Sequence, residues 1–130
     1  MLGHLSFGVT DLARSTAFYD ATMATLGFTR VWTSPTGVGY GPAAGEEDKL
    51  ALFAQSDVVA APGPGFHLAF DSPSRVAVDR FHAAALAFGG ADLGAAGLRP
   101  HYGASYYAAF VSDPDGYKLE AVCQDEAPPA

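Results

Sequence analysis

Hydrophobic and polar residues first alternate along the chain and then recur with the spacing of a helix. Near the start, Leu5, Phe7 and Val9 alternate with small or polar residues, which is the period of a half-buried strand over residues 3–9. Residues 11–26 then carry apolar side chains mainly on one side, after a Thr-Asp pair that can cap a helix and before a glycine that can end it. The pattern predicts a strand followed by a helix.

The second half of the chain shows the same order of elements. A helix is predicted to begin near Ser74 and to stop at Gly89, and a turn signal runs from Asp113 to Gly116. Three shorter strand-like runs follow each helix. They cover residues 29–34, 37–41 and 49–55 in the first half, and residues 91–93, 106–112 and 118–123 in the second.

An internal repeat explains this symmetry. The tetrapeptide HLSF at His4 returns as HLAF at His67, an offset of 67 − 4 = 63, and the heptapeptide at Lys49 returns at Lys118, an offset of 118 − 49 = 69. We therefore predict an α+β fold of two tandem βαβββ modules that form a curved mixed sheet around a central cavity. The modules cover about residues 1–57 and 65–125 of a single domain that spans residues 1–130.

Strand alternation assigns the repeated residues to two faces of the predicted sheets. One face is large and apolar and is expected to pack beneath the helices; it carries Leu5, Phe7, Leu50, Leu52, Leu68, Phe70 and Leu119. The opposite face is small and polar, which indicates a cavity; it carries His4, Ser6, Ala51, His67, Ala69, Glu120 and Val122. Pairing across the Asp113–Gly116 turn would place Ala109 opposite Glu120, with Tyr107 nearby.

The cavity face holds a candidate metal site. A pseudo-two-fold axis between the modules would bring His4 and His67 to equivalent positions, and would do the same for Ala51 and Glu120. Two imidazoles and one carboxylate suit Zn, Ni, Co, Mn or Fe(II), and the alanine leaves coordination positions free for water or substrate. A buried, unpaired Glu120 would also be costly without a cation. We expect His4, His67 and Glu120 to bind one divalent metal ion.

Composition and charge narrow the classes of partner. The chain has 130 residues with a formal net charge of −7, and its pI is near 4.7. Such a surface repels phosphate backbones and anionic lipid heads, so we expect neither nucleic-acid nor membrane partners. No apolar run approaches the length of a membrane span, and the single cysteine, Cys123, fits a reducing compartment as a small core residue. We expect a cytoplasmic protein.

The sequence resembles the vicinal oxygen chelate superfamily, which includes glyoxalases, bleomycin-resistance proteins and extradiol dioxygenases. The resemblance runs from His4 to Val122, and its most specific part is the stretch FVSDPDGYKLE that ends at Glu120. It implies metal ligands on the first and last strand of each module, which here are His4, His67 and Glu120. Lactoylglutathione lyases, which are similar, carry an acidic fourth ligand where Ala51 stands.

The resemblance implies a metal-dependent enzyme of the lyase or isomerase type that acts on a small substrate with vicinal oxygens. Glu120 would double as a catalytic proton carrier. The set of two histidines and one glutamate also resembles that of the extradiol Fe(II) dioxygenases, which is the first alternative. The second is a non-enzymatic, bleomycin-resistance-like binding protein, and the third is a repeat that serves stability alone.

Further candidates for the site lie before the last hairpin. Four residues could hydrogen-bond an oxygenated substrate, namely His101, Tyr102, Tyr106 and Tyr107, and Tyr107 is favoured to line the cavity. Arg99 could meet a substrate carboxylate. In the bleomycin-resistance proteins, which this chain resembles, the cavity often lies at a dimer interface. We therefore expect a homodimer whose partner is a small-molecule substrate or ligand.

Overall fold

Each half of the chain folds as a strand, a helix and three more strands, in a computed structural model that describes residues 1–43, 47–57 and 61–126. The first module consists of β1 (Leu5–Val9), α1 (Leu12–Thr25), β2 (Phe28–Ser34), β3 (Gly37–Pro42) and β4 (Leu50–Ala54). The second consists of β5 (Leu68–Asp71), α2 (Arg75–Ala87), β6 (Ala91–Leu98), β7 (Tyr107–Ser112) and β8 (Lys118–Cys123). The predicted α+β order is confirmed, and β6 extends beyond the predicted residues 91–93.

Each module has its own mixed sheet of four strands. The strand orders are β1-β4-β3-β2 and β5-β8-β7-β6, with the first and last strand of each module parallel and the other pairs antiparallel. In the described part of the chain, β1 therefore pairs only with β4, and β5 only with β8. Both strands that carry a predicted metal-binding histidine at their start are edge strands.

The strand registers of the two modules are equivalent. Ser6 pairs with Ala51 between β1 and β4, and Ala69 pairs with Glu120 between β5 and β8. These pairs are related by the offsets of 63 and 69 that the sequence repeat shows. The residues predicted to form the apolar face also lie in or against the core, which both helices cover.

Both helices begin at the capping residues that the sequence predicts. Asp11 caps α1 by accepting from the N–H of Arg14, and Ser74 caps α2 by accepting from the N–H of Ala77. The helices pack against each other as well as on the sheets, and Cys123 is a buried free cysteine of the core. Neither helix is long and apolar enough to cross a membrane.

The loop between β7 and β8 holds the second module against the first through hydrogen bonds and an ion pair. Its Asp113 accepts a hydrogen bond of 2.6 Å from the Tyr19 hydroxyl on α1, and the Tyr117 hydroxyl donates to the carbonyl of Gly8 at 2.9 Å. Asp115 pairs with Arg14 at 3.1 Å. Residues 58–60, which lie between the two predicted modules, are outside the described residues.

The predicted register of the last hairpin is wrong by one residue. Phe110, and not Ala109, pairs with Glu120. The cause is Asp113, whose carboxylate accepts from the N–H of Tyr117 and whose own N–H donates to the Tyr117 carbonyl, both at 2.9 Å. Tyr117 thus belongs to the connection, and this extra residue moves every β7 side chain to the other face relative to Glu120.

Candidate functional site

The structure brings together two of the three predicted metal ligands, His67 and Glu120. His67 directly precedes β5, while Glu120 lies in the middle of the neighbouring β8. Their side chains point to the same face, and Nε2 of His67 lies 3.1 Å from Oε1 of Glu120. The glutamate side chain is only 2% exposed whereas the imidazole is 45% exposed. The pair is therefore open to a ligand from the side of the histidine.

Tyr106, one of the candidate residues before the last hairpin, completes the surroundings of Glu120. The Tyr106 hydroxyl donates to Oε2, the carboxylate oxygen that His67 does not contact. Burial, followed by the hydrogen bond to Glu120, raises the pKa of Tyr106 to about 12. Tyr106 consequently stays protonated at neutral pH and remains a donor. The sequence favoured Tyr107 as the residue that lines the cavity, but the one-residue shift of the hairpin moves Tyr107 to the other face and places Tyr106 at Glu120.

The donor chemistry of this pair fits a divalent metal. An imidazole nitrogen and a carboxylate oxygen are ordinary ligands for Zn, Mn, Fe(II), Co and Ni. Glu120 is 1% exposed as a residue, and the contacts described for its carboxylate come from His67 and Tyr106. A buried carboxylate whose described partners are an imidazole and a neutral hydroxyl favours a bound cation. Within one chain, however, the described residues form no group of three ligating side chains.

His4 occupies the position in the first module that His67 occupies in the second. It directly precedes β1, its residue is exposed, and it lines a small apolar groove of about 130 Å³ with residues such as Leu2, Leu50 and Phe70. Neither His67 nor Glu120 lines that groove. The predicted symmetry of strand position is thus present, but a three-residue cluster with His4 is not formed among the described residues of a single chain.

Ala51 lies in the first module at the place of Glu120 in the second. It pairs with Ser6 and with Gly39, and it is almost fully buried. Trp32 covers this face, because a Cβ atom at Gly39 would overlap its indole Nε1. The Trp32 ring lies 5.8 Å from that of Phe53. The first module therefore presents an aromatic surface where the second presents a carboxylate.

The three predicted substrate contacts are divided between the two faces of the second module. Tyr107 faces α2, where its hydroxyl donates to Asp79 at 2.6 Å. Arg99 and His101 lie on the cavity side and line a space of about 360 Å³. A neighbouring cavity of about 230 Å³ contains the His67–Glu120 pair. Residues of both cavities that sequence analysis missed are Phe110 and Lys118.

Comparison with known proteins agrees with the repeat and the fold. Residues 1–121 match the family model described as Glyoxalase/Bleomycin resistance protein/Dioxygenase superfamily. Among solved structures, the chain is similar to a glyoxalase/bleomycin resistance protein from Albidiferax ferrireducens T118, with 31% identity and a TM-score of 0.79, over 94% of this chain and 97% of that one. No curated protein was found to match by sequence.

More distant structures share the fold. A glyoxalase-related enzyme from Fulvimarina pelagi is 23% identical, with a TM-score of 0.71 over 95% of this chain and 87% of that one. A genomically encoded fosfomycin resistance protein from Listeria monocytogenes is 18% identical, with a TM-score of 0.67 over 95% and 92% of the two chains. At these identities the likeness concerns architecture alone.

Proposed function

Since the chain belongs to the glyoxalase/bleomycin resistance protein/dioxygenase superfamily, whose members bind small molecules and generally use divalent metals, we propose that it is a metal-dependent enzyme. Its substrate would be a small molecule with vicinal oxygens, and its reaction would be of the lyase or isomerase type. The observation that carries the proposal is the buried Glu120 carboxylate, which lies 3.1 Å from the accessible ring of His67.

Each residue of the pair would have a separate task. His67 and Glu120 would hold the metal through Nε2 and Oε1, and a bound metal would supply Lewis-acid stabilisation of negative charge on the substrate oxygens. Glu120 is shielded from water, so a proton that it accepts from the substrate would be returned to the substrate rather than lost to solvent. Tyr106 would fix the orientation of the carboxylate through Oε2.

We propose that the third ligand, His4, comes from a second copy of the chain. β1 and β5 are edge strands, and such edges present unpaired backbone groups that readily pair with another chain. A two-fold arrangement that sets β1 of one copy beside β5 of the other would bring His4 to the His67–Glu120 pair, and would do so twice. In this homodimer, His4 of the second copy would complete the set of three ligands, of which one chain brings only His67 and Glu120 together.

Two alternatives have support of their own. The first alternative is oxygenase chemistry. Because Ala51 supplies no acidic ligand, the predicted ligands are two histidines and one glutamate, the set found in the extradiol Fe(II) dioxygenases. The second is a bleomycin-resistance-like binding protein, favoured by the aromatic surface that Trp32 and Phe53 form on the first module. A protein purified without metal, whose folding is unchanged by His4→Ala, would support this binding role.

Metal analysis tests the proposal. Protein purified without an affinity tag is expected to take up about one divalent ion per chain, and Glu120→Gln or His67→Ala to lose most of it. Asp57→Asn is the matched control, because Asp57 is an exposed acid outside the site. Equal metal content in Glu120→Gln and the wild type would refute the proposal. Oxygen uptake with Fe(II) and catechols then separates the dioxygenase from the isomerase.

A further inference from the structure

We propose that Arg99 and Lys118 form a subsite for an acidic group of the substrate, beside the His67–Glu120 pair. The inference rests on the proposed function, because it assigns a substrate class to the same site. The substrate would carry an oxyanion, either a planar carboxylate or a tetrahedral phosphonate or phosphate, in addition to its vicinal oxygens. Four structural features support the subsite.

The first feature is the rigid position of the Arg99 side chain. Its Nη1 donates to the carbonyl of Gly97 at 2.9 Å and its Nη2 to that of Ala95 at 2.7 Å. These carbonyls belong to β6, whose pairing with β7 is irregular on either side of Gly94. Irregular pairing of this kind redirects backbone groups away from the ladder. The strand therefore holds the guanidinium in place by its carbonyls.

Small residues make room for the guanidinium. A Cβ atom at Gly94 would lie 3.3 Å from Nη2 of Arg99 and 3.2 Å from the Phe110 ring, and one at Gly97 would lie 3.3 Å from Nη1. The guanidinium carbon lies 5.5 Å from the centre of the Phe110 ring, which is cation–π distance. Glycine at these positions thus allows Arg99 to lie over Phe110.

The second feature is the set of donors that Arg99 keeps free. The bonds described for its guanidinium come from Nη1, to the carbonyls of Gly97 and Leu98, and from one proton of Nη2, to that of Ala95. Nε–H and the other proton of Nη2 have no acceptor among the described residues. These two donors form the side edge of the guanidinium, which binds carboxylate or phosphate oxygens in pairs. Arg99 is therefore prepared to bind an oxyanion.

The third feature is a second cation at the same ring. The Lys118 ammonium lies 5.4 Å from the centre of the Phe110 ring. Lys118 is two residues before Glu120 on β8, so both side chains lie on the same face, with Cα atoms about 7 Å apart. Lys118 also lines both cavities of the second module. An oxyanion held there would lie next to vicinal oxygens at His67 and Glu120.

The fourth feature is charge. The described residues place no carboxylate within ion-pairing distance of Arg99 or Lys118, although acidic residues outnumber basic ones by 14 to 7 in this sequence. Two cations without counterions, in a cavity of about 360 Å³ that adjoins the His67–Glu120 pair, favour an anionic ligand. None of the described residues provides that anion.

The experiment measures anion binding without metal, so that it is independent of the metal proposal. Wild-type protein stripped over a chelating resin is titrated with methylphosphonate and with acetate by calorimetry at low ionic strength. We expect millimolar binding of at least one probe, weakened about tenfold or more by Arg99→Met and about threefold or more by Lys118→Met. Arg80→Met, which removes an exposed cation of α2, should change binding less than twofold.

The outcomes separate the possibilities. A preference for acetate indicates a carboxylate substrate, and a preference for methylphosphonate indicates a tetrahedral oxyanion; both support the subsite. Absence of binding to the wild type, or equal weakening by Arg80→Met, overturns it. If Arg99→Met fails to fold, Arg99→Lys and Lys118→Met keep the test decisive. Metal loss in Glu120→Gln is scored separately, so either proposal can fail alone.

Discussion

The Tyr106 hydroxyl donates a hydrogen bond to Glu120, at the carboxylate oxygen that His67 does not contact. The carboxylate is thus held from both sides, by a tyrosine at one oxygen and by an imidazole at the other. Such supporting contacts orient a metal ligand before the metal arrives, and their loss lowers affinity even though the ligand itself is retained.

Replacing Tyr106 by phenylalanine should therefore weaken metal binding by about tenfold while the fold is retained. The measurement is a competition titration of Zn or Mn against a chromophoric chelator. Tyr102→Phe is the control, because the Tyr102 ring lies 5.2 Å from that of Tyr106 but no hydrogen bond is described for its hydroxyl. Identical affinities for the two variants would show that Tyr106 does not position Glu120.

Mixing two inactive variants tests whether the site is shared between copies. His4→Ala and Glu120→Gln should each bind little metal alone. In an equimolar mixture that exchanges subunits, about half of the dimers are mixed and each has one intact site of two, so about a quarter of the wild-type metal should return. Two quantities are measured: the metal that stays bound after gel filtration, and the apparent mass of the protein, which reports the dimer. A site formed within one chain would show no recovery.

Gly39→Ala should displace Trp32 from the first module. The added Cβ would overlap the indole, whose Nε1 donates to Asp48 at 2.7 Å. We expect a loss of about 1–3 kcal/mol in unfolding free energy from this overpacking, with a change in the fluorescence of Trp32, the chain's single tryptophan. Gly63→Ala is the control, since a Cβ there meets nothing within 4 Å. An unchanged emission spectrum in Gly39→Ala would contradict the packing described.

Asp113 should make the stability of the protein depend on pH. Burial raises the pKa of Asp113 above its ordinary value, although hydrogen bonds from Tyr19 and two backbone N–H groups oppose the change. The folded protein then binds this proton more tightly than the unfolded chain does. The stability that this proton contributes is therefore present at low pH, and it is lost as the pH rises through the pKa of Asp113 in the folded protein.

Asp113→Asn removes this titration and keeps a side chain of the same shape. Relative to wild type, its unfolding free energy should improve as the pH rises from the ordinary pKa of an aspartate, roughly 3.9, through the higher pKa of Asp113 in the folded protein, and the difference should then stay constant. Urea denaturation at a series of pH values measures this difference. Parallel curves for the two proteins over that range would mean that burial does not govern the titration of Asp113.

Local sequence patterns determined the elements and the repeat. Alternation and capping residues predicted both helices and the sequence of strands along the chain, because these features depend on neighbours within a few residues. The repeat offsets also made Ala51 and Glu120 equivalent positions, and the registers pair them with the equivalent residues Ser6 and Ala69. A duplicated unit folds alike twice, since each copy buries the same apolar face.

Tertiary structure alone decided which residues surround Glu120 and where His4 lies relative to them. The hairpin register depended on Tyr117 joining the loop through Asp113, and this one residue exchanged Tyr107 for Tyr106 at the carboxylate. The arrangement of the two sheets likewise left His4 lining a different groove from the one that contains the His67–Glu120 pair. Contacts between distant segments depend on packing and on backbone geometry in three dimensions, which the periodicity of one strand or helix does not encode.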